Sequence, residues 1–277
     1  MSYDPYAPRE AEDPQRYSPI KHPLTLRDLL RKLWVPIAAV VFLFWKLKFL
    51  VLAIFKFKVF TVAGSMLVSI GAYALLWGWR FAAGFVLLLL VHELGHVLEA
   101  KRQGLPVSAP MFVPFLGALI VLKRLPDDAW NEAKVAIAGP IVGGLGAAAV
   151  WGAGEYLDSE LLVALAFTGF FLNLFNLAPI SPLDGGRIVA AIHPVLWIVG
   201  LLALIGLTIV APNPILILIL VLGGLESWRR WKHRRNPESE AYYRVSPKRR
   251  VIVGVSYIVL AALLTVGMSA SFVERDF

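Results

Sequence analysis

Cysteine is absent from all 277 residues. That excludes disulfides, thiolate nucleophiles and cysteine-based metal sites. Charge is scarce as well: 17% of residues are Asp, Glu, Lys or Arg, against 58% hydrophobic. A soluble domain would carry about 25% charged residues. The polar first thirty residues hold Pro5, Pro8, Pro14, Pro19 and Pro23 and lack the apolar core of a cleavable signal peptide. They read as a disordered tail over 1–34. Neither an internal repeat nor a low-complexity tract is apparent.

The apolar residues come in long runs, the pattern of a bilayer-spanning bundle. Seven runs read as spans: 59–79, 81–100, 132–151, 161–178, 188–210, 215–228 and 251–271. An earlier run, 35–57, carries Lys46 and Lys48 at its middle and Lys56 and Lys58 at its end. A lysine at mid-bilayer costs about 3 kcal/mol on insertion scales. An interfacial helix over 35–58 with snorkelling lysines is therefore favoured over a true span. The stretch 105–125 is different. Its apolar part, 111–122, is too short to cross as a helix, and Pro106, Pro110, Pro114 and Gly117 oppose one. It suits a re-entrant or extended element lying against protein.

The formal charge is +8, and the excess is local. Arg229, Arg230, Lys232, Arg234, Arg235, Arg244, Lys248, Arg249 and Arg250 cluster after the sixth run. They read as a cytoplasmic loop, 229–250, by the positive-inside rule. No aromatic base platform accompanies them, so a nucleic-acid partner is not expected. Residues 152–160 carry Glu155, Asp158 and Glu160 and no basic residue, and they read as external. The expected fold is an all-α polytopic membrane protein of about seven transmembrane helices, with one short re-entrant or β-like element. Its expected parts are the tail 1–34, the interfacial helix 35–58, a membrane core 59–228, the basic loop 229–250 and a last span with its tail, 251–277. The expected place is a prokaryotic plasma membrane, with the N-terminus cytoplasmic.

The chemistry begins in the second run, at His92-Glu93-Leu94-Gly95-His96. Histidines at i and i+4 share a helix face one turn apart, so both imidazoles can reach one tetrahedral zinc. Glu93 is next to the first of them, placed to take a proton from attacking water. Ionisable residues inside a span are costly, which makes a chance match a poor explanation. From residue 81 to His92 is eleven residues. That is about 16 Å of helix, near half of a ~30 Å hydrocarbon core. A hydrolytic zinc site normally takes a third protein ligand. Asp184 stands out in Pro179-Ile180-Ser181-Pro182-Leu183-Asp184-Gly185-Gly186, where prolines and glycines unwind the chain between two spans. Unwound backbone at that depth must be buried or line a cavity. His193 competes with it, but in an apolar helix it reads better as a packed or cavity histidine. Asn173 and Asn176 lie a turn apart and suit interhelical hydrogen bonds. Asn176, just before the break, also suits an amide donor to the oxyanion of a tetrahedral intermediate.

Taken together, His92-Glu93-Leu94-Gly95-His96, Asn176-x-x-Pro179 and Leu183-Asp184-Gly185 resemble the site-2 protease family of intramembrane zinc metalloproteases. Ala138-Gly139-Pro140 looks like that family too. The resemblance covers roughly 59–187. It implies that His92, His96 and Asp184 ligate one zinc ion, that Glu93 is the catalytic base and that Asn176 assists. It also implies membrane-anchored protein substrates cleaved at or within the bilayer. The chain departs from many members. The gap from Pro140 to Asn173 has no room for a PDZ domain, and nothing after Arg250 suits a CBS pair. Gly143 and Gly144 stand where members often have Asn. Three other readings remain: a catalytically idle scaffold for single-span proteins, which has no need of Glu93; a protease for isoprenylated C-termini, which expects a downstream Glu ligand; and a zinc transporter, which needs ligands on several spans.

Overall fold

The computed structural model describes Phe42 and residues 60–193, 195–233 and 236–273. The chain divides into two units, 1–56 and 57–277. The first is described only at Phe42, which is helical. The expected tail 1–34 and interfacial helix 35–58 therefore lie outside the described residues, that one position apart.

The second unit is a helical bundle with one hairpin. Helix α1 (Phe60–Trp77) is followed across Gly78 by α2 (Trp79–Arg102). Buried α2 residues Ala82, Phe85, Val86, Leu89, His92, Glu93, His96 and Ala100 recur at helical spacing. Over half of its apolar window, 56%, is buried, against 11% for α1. Protein therefore surrounds α2, while α1 leaves most of its surface open. Next comes the hairpin, β1 (Met111–Val113) and β2 (Gly117–Leu119), antiparallel with Met111 opposite Leu119. An isolated bridge, Val107 to Leu122, extends it. The expected extended element is thus a hairpin, and α1 anchors its backbone. Phe112 N donates to Ser65 Oγ at 3.3 Å and Phe115 N to Tyr73 Oη at 3.0 Å. These hydroxyls supply partners that lipid could not.

Helix α3 (Ala129–Tyr156) starts at Asp128, whose carboxylate accepts from Asn131 N at 2.7 Å. It crosses α2 closely at Gly95, where a β-carbon would collide with the Ala138 carbonyl. Then follow α4 (Glu160–Asn176), α5 (Asp184–Ile192), α6 (Leu196–Val210), α7 (Pro214–His233), α8 (Pro237–Tyr242) and α9 (Pro247–Ala270). One core cluster joins α3, α4, α5 and α9 through Ala136, Phe170, Ile188 and Leu264. Another joins α1, α2 and the hairpin through Tyr73, Phe85 and Phe112.

Among the described residues, four helices are long and apolar enough to cross a membrane: α1, α2, α3 and α9. The apolar helices α4 and α6 are shorter. The described fold is thus mostly helical, and four of the seven expected spans are met by length and composition. The expected fifth span, 188–210, is two helices. His193 is extended, with φ −162° and ψ 125°, because the next residue is Pro194. Proline disfavours helical backbone in the residue before it and brings no N–H of its own. His193 is also exposed, not packed as expected. The acidic connection expected over 152–160 is short, since α3 runs to Tyr156 and α4 starts at Glu160. Within 229–250, α7 runs to His233, α8 forms, and α9 starts at Pro247.

Candidate metal centre

Two helices bring the donors together. His92 and His96 project from one face of α2, and Asp184 is the first residue of α5. His92 Nε2 and His96 Nε2 lie 3.1 Å apart. Asp184 Oδ2 is 3.2 Å from the first and 3.1 Å from the second. All three residues are buried. Among the described residues this is the one group of three or more such side chains able to hold a metal ion.

The outer ring nitrogens show what the inner ones carry. His96 Nδ1 is 2.8 Å from the Val135 carbonyl on α3. A carbonyl only accepts, so Nδ1 holds the proton and Nε2 keeps its lone pair. His92 Nδ1 is 2.8 Å from Asn173 Oδ1 on α4. The Asn173 amide nitrogen donates to the Gly169 carbonyl at 2.7 Å, which turns its oxygen toward His92. His92 Nε2 is therefore a lone-pair donor as well. Two such nitrogens facing a carboxylate oxygen repel one another unless a cation lies between them. Tetrahedral zinc, with Zn–N of 2.0–2.1 Å, would hold its ligand atoms about 3.4 Å apart. The three observed edges come close to that, so the donor set fits the metal.

Local sequence makes this convergence possible. A β-carbon at Gly139 would strike the His96 ring. Glycine there lets the imidazole pass between α2 and α3 to its carbonyl partner. The stretch 177–183 after α4 turns through hydrogen bonds such as Ala178 N to the Phe175 carbonyl and Leu183 N to the Ile180 carbonyl. That turn delivers Asp184 at the start of α5.

A cavity of about 480 Å³ opens over the donors. Its walls come from α1, α2, β2, α3, α4, α5 and α7, with Tyr73, Leu119, Phe175 and Leu222 among them. Glu93 and Asn176 line it together with His92, His96 and Asp184. Glu93 is buried beside His92 on α2. Asn176 is half-buried, and its amide donates one hydrogen to the Leu172 carbonyl at 3.1 Å. His193 does not line this cavity.

Two features escaped the sequence. The spacing of Asn173 points only to interhelical bonding, yet this residue holds a histidine of the donor set. Arg187 and Glu132 were not singled out. Arg187 Nη1 lies 3.8 Å from Asp184 Oδ1, and its Nε donates to Glu132 Oε1 at 3.2 Å. Glu132 is 4% exposed on an apolar helix. A buried carboxylate needs a partner, and that was the signal available in the sequence.

Comparison with known proteins places this geometry. Residues 80–160 match the family model described as Peptidase family M50. Asn176 and Asp184 lie beyond that segment. The chain is 32% identical over 129 residues to "Zinc metalloprotease MJ0392" of Methanocaldococcus jannaschii, covering 45% of this chain and 37% of that protein. It is 34% identical over 137 residues to "Putative zinc metalloprotease Rip3" of Mycobacterium tuberculosis, covering 44% and 34%. To "Putative zinc metalloprotease sll0528" of Synechocystis sp. it is 33% identical over 109 residues, covering 38% and 28%. The chain thus spans about a third of the length of the curated relatives it matches. Over the segment that carries His92, Glu93 and His96, the sequence matches peptidase family M50, and the resemblance to the site-2 protease family is borne out there.

Proposed function

We propose that the chain hydrolyses peptide bonds of membrane-anchored proteins, within or beside the bilayer, with one zinc ion held by His92, His96 and Asp184. One observation carries this reading: three lone-pair donors converge on one point in an apolar-walled cavity, with Glu93 beside them. The metalloprotease names of the relatives support it. Zinc supplies Lewis acidity to the scissile carbonyl and to water.

The chain's own residues do the rest. Asn173 and the Val135 carbonyl hold the imidazoles in their donor tautomers. Glu93 takes the proton of the attacking water and passes it to the leaving amine. Asn176 has a second amide hydrogen beyond the one given to Leu172, and that hydrogen serves the oxyanion. The cavity wall limits water at the reacting carbonyl. A helical substrate must unwind before its peptide bonds are accessible. β2, on the cavity side of the hairpin, offers an edge for the opened strand. In the proposed topology the chain crosses a cell membrane seven times from a cytoplasmic N-terminus. The pair α5 and α6 makes one crossing, interrupted at His193.

The test is zinc analysis of the purified chain alongside cleavage of candidate single-span proteins, repeated with Glu93→Gln. The glutamine variant should retain about one zinc per chain and lose cleavage. Activity within tenfold of the parent would reject the general base and favour the idle scaffold.

A further inference from the structure

Buried glutamate on the first turn of an apolar helix needs a reason, and two of the partners of Glu132 supply one. Its Oε1 accepts from Arg187 Nε at 3.2 Å, and its Oε2 accepts from the Tyr242 hydroxyl at 2.6 Å. The three residues sit on α3, α5 and α8. Beyond the glutamate, Arg187 Nη1 lies 3.8 Å from Asp184 Oδ1. The other oxygen of that carboxylate, Oδ2, is the one that faces both histidines. Asp184 is thus held from two sides, with the guanidinium behind one oxygen and the donor site before the other. The same stretch of α3 supports the second histidine, since Val135, one turn after Glu132, accepts from His96.

We propose that Arg187, clamped by Glu132 and through it by Tyr242, is a positioning residue that sets the orientation of the Asp184 carboxylate toward the metal. The proposal rests on the reading of His92, His96 and Asp184 as a metal site. It makes α8, which lies in the basic segment after α7, a structural contributor to that site. Side chains that orient a ligand are typically worth about 10–100-fold in metal affinity. A planar guanidinium can hold one carboxylate with Nε and face another with Nη1, which a lysine cannot do. The tyrosine's ring packs at right angles against Tyr243, so removing only its hydroxyl leaves that packing in place.

The experiment uses the full chain, purified in detergent and stripped of metal. Cobalt(II) is titrated in, read by its visible absorption and by competition with a chromophoric chelator. Thermal unfolding without metal is followed in parallel. Arg187→Lys should weaken cobalt binding by about 10-fold or more and alter the absorption band. Tyr242→Phe should do the same to a smaller extent, with the metal-free unfolding temperature little changed. Arg187→Gln takes a cation away from the buried Glu132 carboxylate and so tests folding along with binding. The double variant Glu132→Gln with Arg187→Gln removes both charges and should fold, yet still bind cobalt weakly. The proposal is overturned if Arg187→Lys and Tyr242→Phe bind within twofold of the parent with an unchanged band. It is equally overturned if the double variant recovers parental affinity, because Arg187 would then only neutralise Glu132. A parent chain that binds no cobalt or zinc would instead defeat the metal-site reading itself.

Discussion

At the scale of single residues, the donor set depends on side chains that never touch the metal. Asn173 fixes the tautomer and plane of His92 through a 2.8 Å bond, and its own amide is turned by Gly169. Asn173→Ala should lower zinc affinity by about 10–100-fold while leaving the helices intact. Chelator competition measures this, and unchanged affinity would show that His92 needs no such support. Replacing His92, His96 or Asp184 by Ala should reduce zinc to well below one per chain by elemental analysis. Stoichiometric zinc in Asp184→Ala would remove that residue from the ligand set. Gly139→Ala tests the close approach of α3 to the His96 ring. The added methyl must displace the imidazole or part the helices, so zinc content should fall. A variant with full zinc would show that α2 and α3 separate at little cost.

At the scale of elements, the hairpin and the break after α4 decide what the cavity can receive. In a two-stranded ladder, alternate backbone N–H groups point away from the partner strand. β2 lines the cavity, so its outward groups are the ones available to an opened substrate. Beyond β2, the Val121 N–H is already used, donating to Ser108 Oγ at 2.9 Å. Proline at Val121 would therefore probe the hairpin rather than its edge. Ala118→Pro and Leu119→Pro sample the two alternating directions. One of them should impair cleavage of a single-span substrate several-fold with zinc content unchanged, since no donor lies in the hairpin. Full activity in both would end the edge-pairing idea and leave the hairpin as a structural plug.

At the scale of the whole molecule, the question is how the chain sits in the bilayer. Basic residues gather at one end of the bundle, with Lys101 and Arg102 closing α2 and Arg249 3.9 Å from Asp128 at the start of α3. The acidic turn after α3 lies at that helix's other end. The proposed topology puts these ends on opposite sides. The chain has no cysteine, so single introduced thiols report without background. Leu157→Cys and Glu240→Cys, both at exposed positions, should label from opposite faces of sealed vesicles. Labelling of both from one face would overturn the seven-crossing arrangement.

The sequence by itself determined the chemistry that is local to one helix or one turn. The two histidines and Glu93 fall within five consecutive residues. Helical periodicity alone then places His92 and His96 on one face. The prolines and glycines around Asp184 likewise announced a break in regular structure, and those of 105–125 announced a non-helical element. What joins distant segments was not legible. The bonds from Asn173 to His92 and from Arg187 to Glu132 link residues 81 and 55 positions apart. No periodicity encodes such pairs; helix packing does. Apolar runs matched only part of the span count, for a related reason. Apolar runs report hydropathy, but Pro194 ended a helix inside one run, and α4 and α6 are short helices whose place is settled by packing. Only the tertiary structure decided which oxygen of Asp184 faces the histidines, because that choice belongs to α3, α5 and α8 together.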